Sequence, residues 1–384
     1  MERTRDDILG DILSRIADEL NITDTMYAKA VASYNAVGKW IGDGIDYSVT
    51  IMPQGSMNLG TVVKPLDDRD DYDIDLVCLL EDGQELSAKS VKHIVGNRLK
   101  ENKTYAEKLD KEGKRCWTMQ YDEFHMDILP CIPESEKFAS PYATQIDLTD
   151  KNKELNIYTF KPSNPSAYHD WFLDKARPKA AFIANSKAAA KATEIKPVPS
   201  QAARLKTPLQ KAIQLLKRHR DVYFIDRQEC APISVIITTL AALASPHEDN
   251  IFYALRTVLR NMERFIETRA TGYWIPNPVM PAENFAERWN VKHQLPQAFF
   301  EWLNVARRDF LEATSSLCGL DEYAKHFKKI LCQQPVERAF NKLGSYVRSE
   351  RESGNLSFCG LASGLAVASS AAGHKVLPHT FFGQ

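Results

Sequence analysis

The passage that most narrows the folds open to this chain lies at residues 71–80, where Asp71-Tyr72-Asp73-Ile74-Asp75 runs straight into Leu76-Val77-Cys78-Leu79-Leu80. On a strand, side chains alternate with period two, so Asp73 and Asp75 leave one face and Ile74 and Leu76 the other. Two carboxylates this close repel each other unless a cation lies between them, and hard oxygen ligands suit Mg²⁺. An acidic run such as DDRDDYD is ordinarily a solvated loop. Here the abrupt entry into an apolar run places Asp75 at the edge of a buried sheet. Asp71 shares the parity and is a rival ligand, further from the apolar run.

Just upstream, Gln54-Gly55-Ser56 forms a small-residue turn. Gly55 lets backbone approach a ligand, and Ser56 offers a hydroxyl donor to a phosphate oxygen. Residues 53–80 therefore read as a phosphate-holding turn beside a metal-holding strand. A further strand is expected at residues 124–129, FHMDIL, with Phe124, Met126 and Ile128 on one face, His125 and Asp127 on the other, and Pro130 ending it. Alone, Asp127 reads as an edge charge. Beside Asp73 and Asp75 it completes the carboxylate set that two-metal phosphoryl transfer requires.

The remaining chain must supply a scaffold and an anion site. With 384 residues and 44% hydrophobic content it is long enough for one bilobal unit or two domains. The formal net charge of -1 gives no bulk attraction to nucleic acid, so any anion site is local. Seven cysteines occur singly, without a CxxC pair, as expected of reduced core thiols in the cytoplasm. A charged N-terminus and the lack of any apolar run of membrane length also place the protein in the cytoplasm, without a membrane partner.

In chain order, helices are expected over residues 5–42 with a break at 21–24, then a strand at 47–51, a helix at 88–108 and a strand at 116–121. Residues 151–162 read as loop. Tyr168, Trp171 and Phe172 are spaced to pack a helix on the core, and the Ala, Lys and Pro of residues 186–200 suggest a mobile basic linker between lobes. The helix at 206–222 buries Leu209, Ile213 and Leu216, with Lys217 at the border of that stripe, where a lysine ordinarily snorkels. Pro232 suits the first turn of the next helix. Ser234 then sits among free N–H groups, either as an anion ligand or as a cap. Another helix follows at 250–267. Prolines at 276, 278 and 281 exclude regular structure over 275–281, and a helix opens at 284–287. Helices at 297–331, broken at Gly319, and 334–347 follow, and the small-residue tail from Leu356 is expected to be disordered or docked elsewhere.

The segments PQGSM…GT, DIDLV, FHMDILPCIP, SNPSAYHDWF, LQKAIQLLKRHRD, PISVIITTL and NPVMPAENFAERW, in that order, resemble the bacterial CD-NTases, nucleotidyltransferases similar to cyclic GMP-AMP synthase. NPVMPAEN is similar, more distantly, to a segment of oligoadenylate synthetases. The resemblance spans residues 6–348 and implies an α+β fold. In it a polymerase-β-like core, a mixed sheet with flanking helices, occupies 1–200 with the N-terminal helices. A mainly helical lobe occupies 201–355, and 356–384 form a tail. It implies that Asp73, Asp75 and Asp127 are catalytic and hold Mg²⁺, or Mn²⁺ in its place, and that Gln54, Gly55 and Ser56 hold donor phosphates. Lys217 and Ser234 would grip the triphosphate, Asn277 would contact the donor base or ribose, and Arg115 is a weaker phosphate candidate. The implied activity is template-independent synthesis of a cyclic di- or trinucleotide messenger from nucleoside triphosphates in antiphage defence, reaching its effector through the product. Residues 381–384, FFGQ, resemble a tail conjugated by ubiquitin-transfer-like enzymes. A polymerase of linear oligonucleotides or RNA tails fits less well, lacking an extended basic groove. A catalytically inactive nucleotide-sensing scaffold would have no need of all three aspartates.

Overall fold

The computed structural model describes residues 4–66, 71–134, 144–178, 194–202, 206–245 and 247–353, with three short strands beyond them. Helix α1 (Arg5–Glu19) starts from a capping box, the Thr4 hydroxyl accepting from the Asp7 N–H while the Asp7 carboxylate accepts from the Thr4 N–H. Helix α2 (Asp24–Gly42) is capped by Thr23, at the expected break. There follow β1 (Val49–Gln54), the single turn α3 (Gly55–Asn58), β2 (Tyr72–Leu80), α4 (Ala88–Glu101), α5 (Lys103–Lys108), β3 (Trp117–Gln120), β4 (Phe124–Pro133), β5 (Ile146–Asn152), β6 (Ile157–Ser163), α6 (Pro165–Ala176) and β7 (Glu194–Ile195).

The strands form one mixed sheet in the order β6-β5-β4-β2-β1-β7, with β3 also on β4. Strands β2 and β4 are parallel, with β1 antiparallel on the far side of β2. Strand β3 pairs with residues 125–128 of β4 and β5 with residues 131–133. Pro130 falls between these two partners, so β4 runs through it to Pro133 instead of ending there as expected. A proline is tolerated where no neighbour needs its N–H.

Alternation sorts the side chains of the central strands. Ile74, Leu76, Cys78 and Leu80 join Met126 and Ile128 in a cluster with Tyr34, Val37 and Ile41 of α2 and Val91, Val95 and Leu99 of α4. On the other face, Val77, Leu79, Leu129 and Cys131 meet Met52 and Leu148 in a smaller cluster. Both faces are covered, which is why the apolar run has no polar alternation. Asp73, Asp75 and Asp127 have the parity of this second face and stand at the end where its apolar cover stops.

The second half comprises α7 (Pro208–Tyr223), α8 (Ser234–Ala244), α9 (Ile251–Asn261), the hairpins β8–β9 (Glu267–Arg269, Gly272–Trp274) and β10–β11 (Pro276–Asn277, Met280–Asn284), then α10 (Gln294–Arg307), α11 (Ala313–Ser316), α12 (Leu320–Leu331) and α13 (Gln333–Glu352). Its core is built on Phe299, Trp302, Phe310 and Phe327. That core also takes Leu13 and Ile16 of α1, Leu20 at its C-cap, and Phe172 and Ala176 of α6. The two apolar cores therefore do not divide at residue 200, because α1 and α6 bury their faces in the helical cluster while α2 packs on the sheet. Amphipathic spacing marks a buried face but not the partner that covers it.

Three stretches expected to be irregular contain strands. Residues 151–162 belong to the β5–β6 hairpin, which turns at Asn156 (φ 53°) and lacks an apolar signature because β6 is largely exposed. Residues 275–281 enter the β10–β11 hairpin, where Pro276 and Pro281 fit because the ribbon has only two strands, and residues 287–290 make a 3₁₀ turn, not the start of a helix. The tail strand Leu356–Phe358 pairs with Leu365–Val367 and His374–Lys375. Most of the expected linker, and residues 381–384, lie outside the described residues, but Glu194–Ile195 pairs with β1. Among the described residues no helix is long and apolar enough to cross a membrane, and the six described cysteines are free thiols.

Candidate active site

Gly55 adopts φ +66°, and a Cβ added there would lie 1.8 Å from Asp75 Oδ2. Turn and strand can approach this closely only because residue 55 has no side chain. Gln54 pairs with Asp75 across β1 and β2, and its Oε1 is buried with no protein partner. Asp75 in turn pairs with Asp127 across β2 and β4, so the three aspartates share one face of adjoining strands. Burial, then Asp127 and Asp73, push the Asp75 carboxyl up to about 7. Asp73 is raised too, by burial first and by Asp127 next. Concentrated negative charge of this kind calls for a cation.

Two neighbours orient the outer carboxylates. The Thr118 hydroxyl donates to Asp127 Oδ1 at 2.5 Å. His125 Nε2 lies 2.7 Å from Asp71 Oδ2, so the rival Asp71 is engaged by an imidazole.

Helix α7 holds the loop that follows α3. Gln210 donates to the Leu59 carbonyl at 2.9 Å, Gln214 to that of Val62 at 2.6 Å, and Arg218 to those of Lys64 and Pro65. Lys217 Nζ donates to both the carbonyl and the hydroxyl of Thr61, each at 3.1 Å. Positions 210, 214, 217 and 218 share one helix face. Lys217 is thus 4% exposed and does not snorkel at a border as expected. Burial first, then Arg220, bring its ammonium down to about 7.

Helix α8 begins without a side-chain cap, since Ile233 occupies the N-cap and Ser234 Oγ accepts from Arg220 Nη1 at 3.3 Å. Its first N–H groups remain available, and the helix dipole favours an anion there. These parts line one cleft of about 720 Å³, which includes Gln54, Gly55, Ser56, Asp73, Asp75, Arg115, Lys217, Ser234 and Asn277. That volume is in the range of small-ligand sites. Asp127 is the expected site residue that does not line it; it stands beside Asp75 on the adjoining strand and accepts from Thr118. Arg115 lines it with its Nε donating to Asp150 at 3.0 Å.

Several lining residues escaped sequence reasoning. Tyr168 packs edge-on near Phe285 and donates to or accepts from Thr239 at 2.8 Å, as a core aromatic would, yet also faces the cleft. Lys161, Glu283 and Arg288 line it from β6 and beyond β10. The Asn-Pro step at 164–165 could have signalled the first of these regions, because Asn164 caps α6 at the cleft. Thr118 and Arg220 carry no local signal.

Among the described residues no three acidic, histidine or cysteine side chains already meet as a metal cage. The donor set nevertheless fits a hard divalent cation, with Asp73 and Asp75 facing the cleft and Asp127 adjoining.

Residues 49–130, which contain all three aspartate positions, match the family model described as cyclic GMP-AMP synthase DncV-like, nucleotidyltransferase domain. A c-di-GMP synthase of Roseivirga ehrenbergii is 29% identical over 98% of this chain and 97% of its own length. The cyclic dinucleotide synthase CdnG of Bradyrhizobium diazoefficiens is 24% identical over 98% and 95%. The solved structure of that CD-NTase, in complex with GTP, shares the fold with a TM-score of 0.68 and 23% identity, covering 88% of this chain and 100% of the other. With aspartates, turn and helix start around one cleft, the chain is similar nearly from end to end to bacterial CD-NTases, and its residues 49–130 match their nucleotidyltransferase domain.

Proposed function

We propose that the chain joins two nucleoside triphosphates, in two successive transfers within this cleft, into a cyclic dinucleotide. The observation that carries the proposal is the convergence of Gly55-Ser56, Asp73, Asp75, Lys217 and the uncapped start of α8 on one cleft. The relatives, a c-di-GMP synthase and a CdnG solved with GTP, favour a guanine nucleotide as substrate.

In each transfer a ribose hydroxyl attacks the α-phosphorus of a triphosphate, and the bond from that phosphorus to the bridging oxygen breaks, releasing pyrophosphate. Asp73, Asp75 and Asp127 would hold Mg²⁺, or Mn²⁺ in its place, which when bound lowers the pKa of the attacking hydroxyl and shields phosphate charge. Asp127, fixed by Thr118, orients or accepts the hydroxyl proton. The Ser56 hydroxyl donates to donor phosphate while Gly55 keeps the backbone close. Lys217 and the first N–H groups of α8 offset the charge of the departing pyrophosphate.

The family likeness supports a role in antiphage defence, in which the product, not the protein, reaches an effector. Conjugation of residues 381–384 by a ubiquitin-transfer-like enzyme is part of the same reading. Mass spectrometry of the tail from cells carrying such an enzyme should find it modified, and a uniformly free tail counts against it. The catalytic reading is tested by Asp75→Asn. Synthesis is expected to fall by at least about a hundredfold, with the melting temperature kept and a GTP analogue still bound. A stable variant with undiminished synthesis would refute it.

A further inference from the structure

The nucleotide reading of the cleft leaves open how a base is chosen, and the β10–β11 hairpin bears on that choice. It brings Asn277 and Glu283 together on the cleft wall. Asn277 is 4% exposed, and its Oδ1 accepts the Val279 N–H at 3.1 Å. That bond fixes the orientation of the amide, so Nδ2 faces Glu283 and donates to Oε2 at 2.8 Å. A carboxylate is acceptor-only, and here it is held in place by a neutral donor. Among the described residues no lysine or arginine forms an ion pair with Glu283.

An unneutralised carboxylate is a poor lining for a site that admits a polyanion, unless the ligand brings it hydrogen-bond donors. Phosphates bring none, whereas bases do. Guanine sets two N–H donors side by side on its Watson–Crick edge, N1–H and the 2-amino group, and so matches a carboxylate fork. Adenine and cytosine set an amino group beside a bare ring nitrogen, and uracil sets one N–H between two carbonyls. Each would turn a lone pair toward a carboxylate oxygen.

We infer that Glu283 reads guanine in this cleft, and that Asn277 is a positioning residue that aims the Glu283 carboxylate instead of touching the base. Hypoxanthine, which lacks only the 2-amino group, isolates the contact. Binding of GTP, ITP and ATP to the full chain, with their turnover, should be measured for wild type, Glu283→Gln and Asn277→Ala. Wild type is expected to bind ITP about tenfold more weakly than GTP, the loss of one charge-assisted hydrogen bond, and ATP more weakly still. Glu283→Gln should lose at least about tenfold in GTP affinity and bring the GTP-to-ITP ratio near one, with ATP binding little changed. Asn277→Ala should lower the same ratio, whereas a purely structural role would lower the melting temperature and leave the ratio intact. Equal use of ITP and GTP by wild type, or an unchanged ratio in Glu283→Gln, overturns the inference, and the wild-type comparison needs no variant to fold. Base discrimination without cyclic product would sink the proposed synthesis and leave the role of Glu283 standing. Cyclic product with no effect of Glu283→Gln would do the reverse.

Discussion

At position 55 a single methyl group separates a working site from a blocked one, because it would stand 1.8 Å from Asp75 Oδ2 in a backbone of φ +66°. Gly55→Ala is expected to cost about 1–2 kcal/mol for the left-handed backbone. It should also lower the transfer rate by about a hundredfold or more, since displacement of a reacting group by an ångström carries that penalty. A melting curve and an initial rate check both, and a normal rate would contradict the packing of turn on strand. Lys217→Met separates two roles of one buried ammonium. It removes charge from the proposed triphosphate site and a donor from Thr61, so the rate should fall about a hundredfold. Stability should change by no more than about 1 kcal/mol, because the burial cost of the cation vanishes as its hydrogen bonds do. At this scale the sequence was most informative where parity decides the outcome, as for Asp73, Asp75 and Asp127. The burial of Lys217 and the hold of Thr118 on Asp127 were not legible, since both depend on partners far along the chain or across the sheet.

Among the elements, α7 holds the loop after α3 in register through its polar face, while its apolar stripe joins the helical core. Gln214 is fully buried and its Nε2 donates to both Val62 O and Asn21 Oδ1, tying the loop to the α1–α2 junction. Gln214→Met leaves the Val62 carbonyl without that donor and should destabilise by about 1–3 kcal/mol. Amides of residues 59–64 should exchange faster in the variant than those of β2, and equal protection would show that α7 does not hold the loop. The apolar stripe of α7 was readable from helical spacing. The glutamines were not, because a polar face is ordinarily solvent-facing and only the fold lays a loop across it. Strand β6 and the β10–β11 hairpin were missed for a related reason. Half-exposed strands carry no clear apolar alternation, and prolines that break a central strand are harmless in a two-stranded ribbon.

For the molecule as a whole, the helical core carries a pH-sensitive joint where α7 meets the segment after α10. His219 is buried, accepting from Trp302 Nε1 at 3.0 Å through Nδ1, so its proton sits on Nε2, 3.2 Å from Asp309 Oδ2. Burial holds its pKa below the ordinary 6.5, outweighing the pull of Asp309, and Arg308 and His326 lower it further. Burial alone would raise the Asp309 carboxyl, but the His219 hydrogen bond and the Arg308 guanidinium leave it below its ordinary 3.8. Both folded values are depressed, so both contributions are present at neutral pH and lost on acidification, that of His219 as pH falls below about 6.5 and that of Asp309 below about 4. Asp75 and Lys217 tilt the whole-protein curve as well, so the readout is the difference between wild type and His219→Gln: the wild-type melting temperature relative to the variant should be steady from about pH 8 to 7 and fall below about 6.5. An α+β plan was legible in the change from strands to helices along the chain, whereas the assignment of α1 and α6 to the helical core was not, because it is fixed by tertiary contacts alone. What the whole molecule does with its cleft is tested most directly by incubating the purified chain with Mg²⁺ and labelled GTP, treating with phosphatase and weighing what survives. A phosphatase-resistant cyclic dinucleotide is expected, and absent in Asp75→Asn, whereas only phosphatase-sensitive linear oligomers, or no product with any nucleotide, would contradict synthesis of a cyclic messenger in this site.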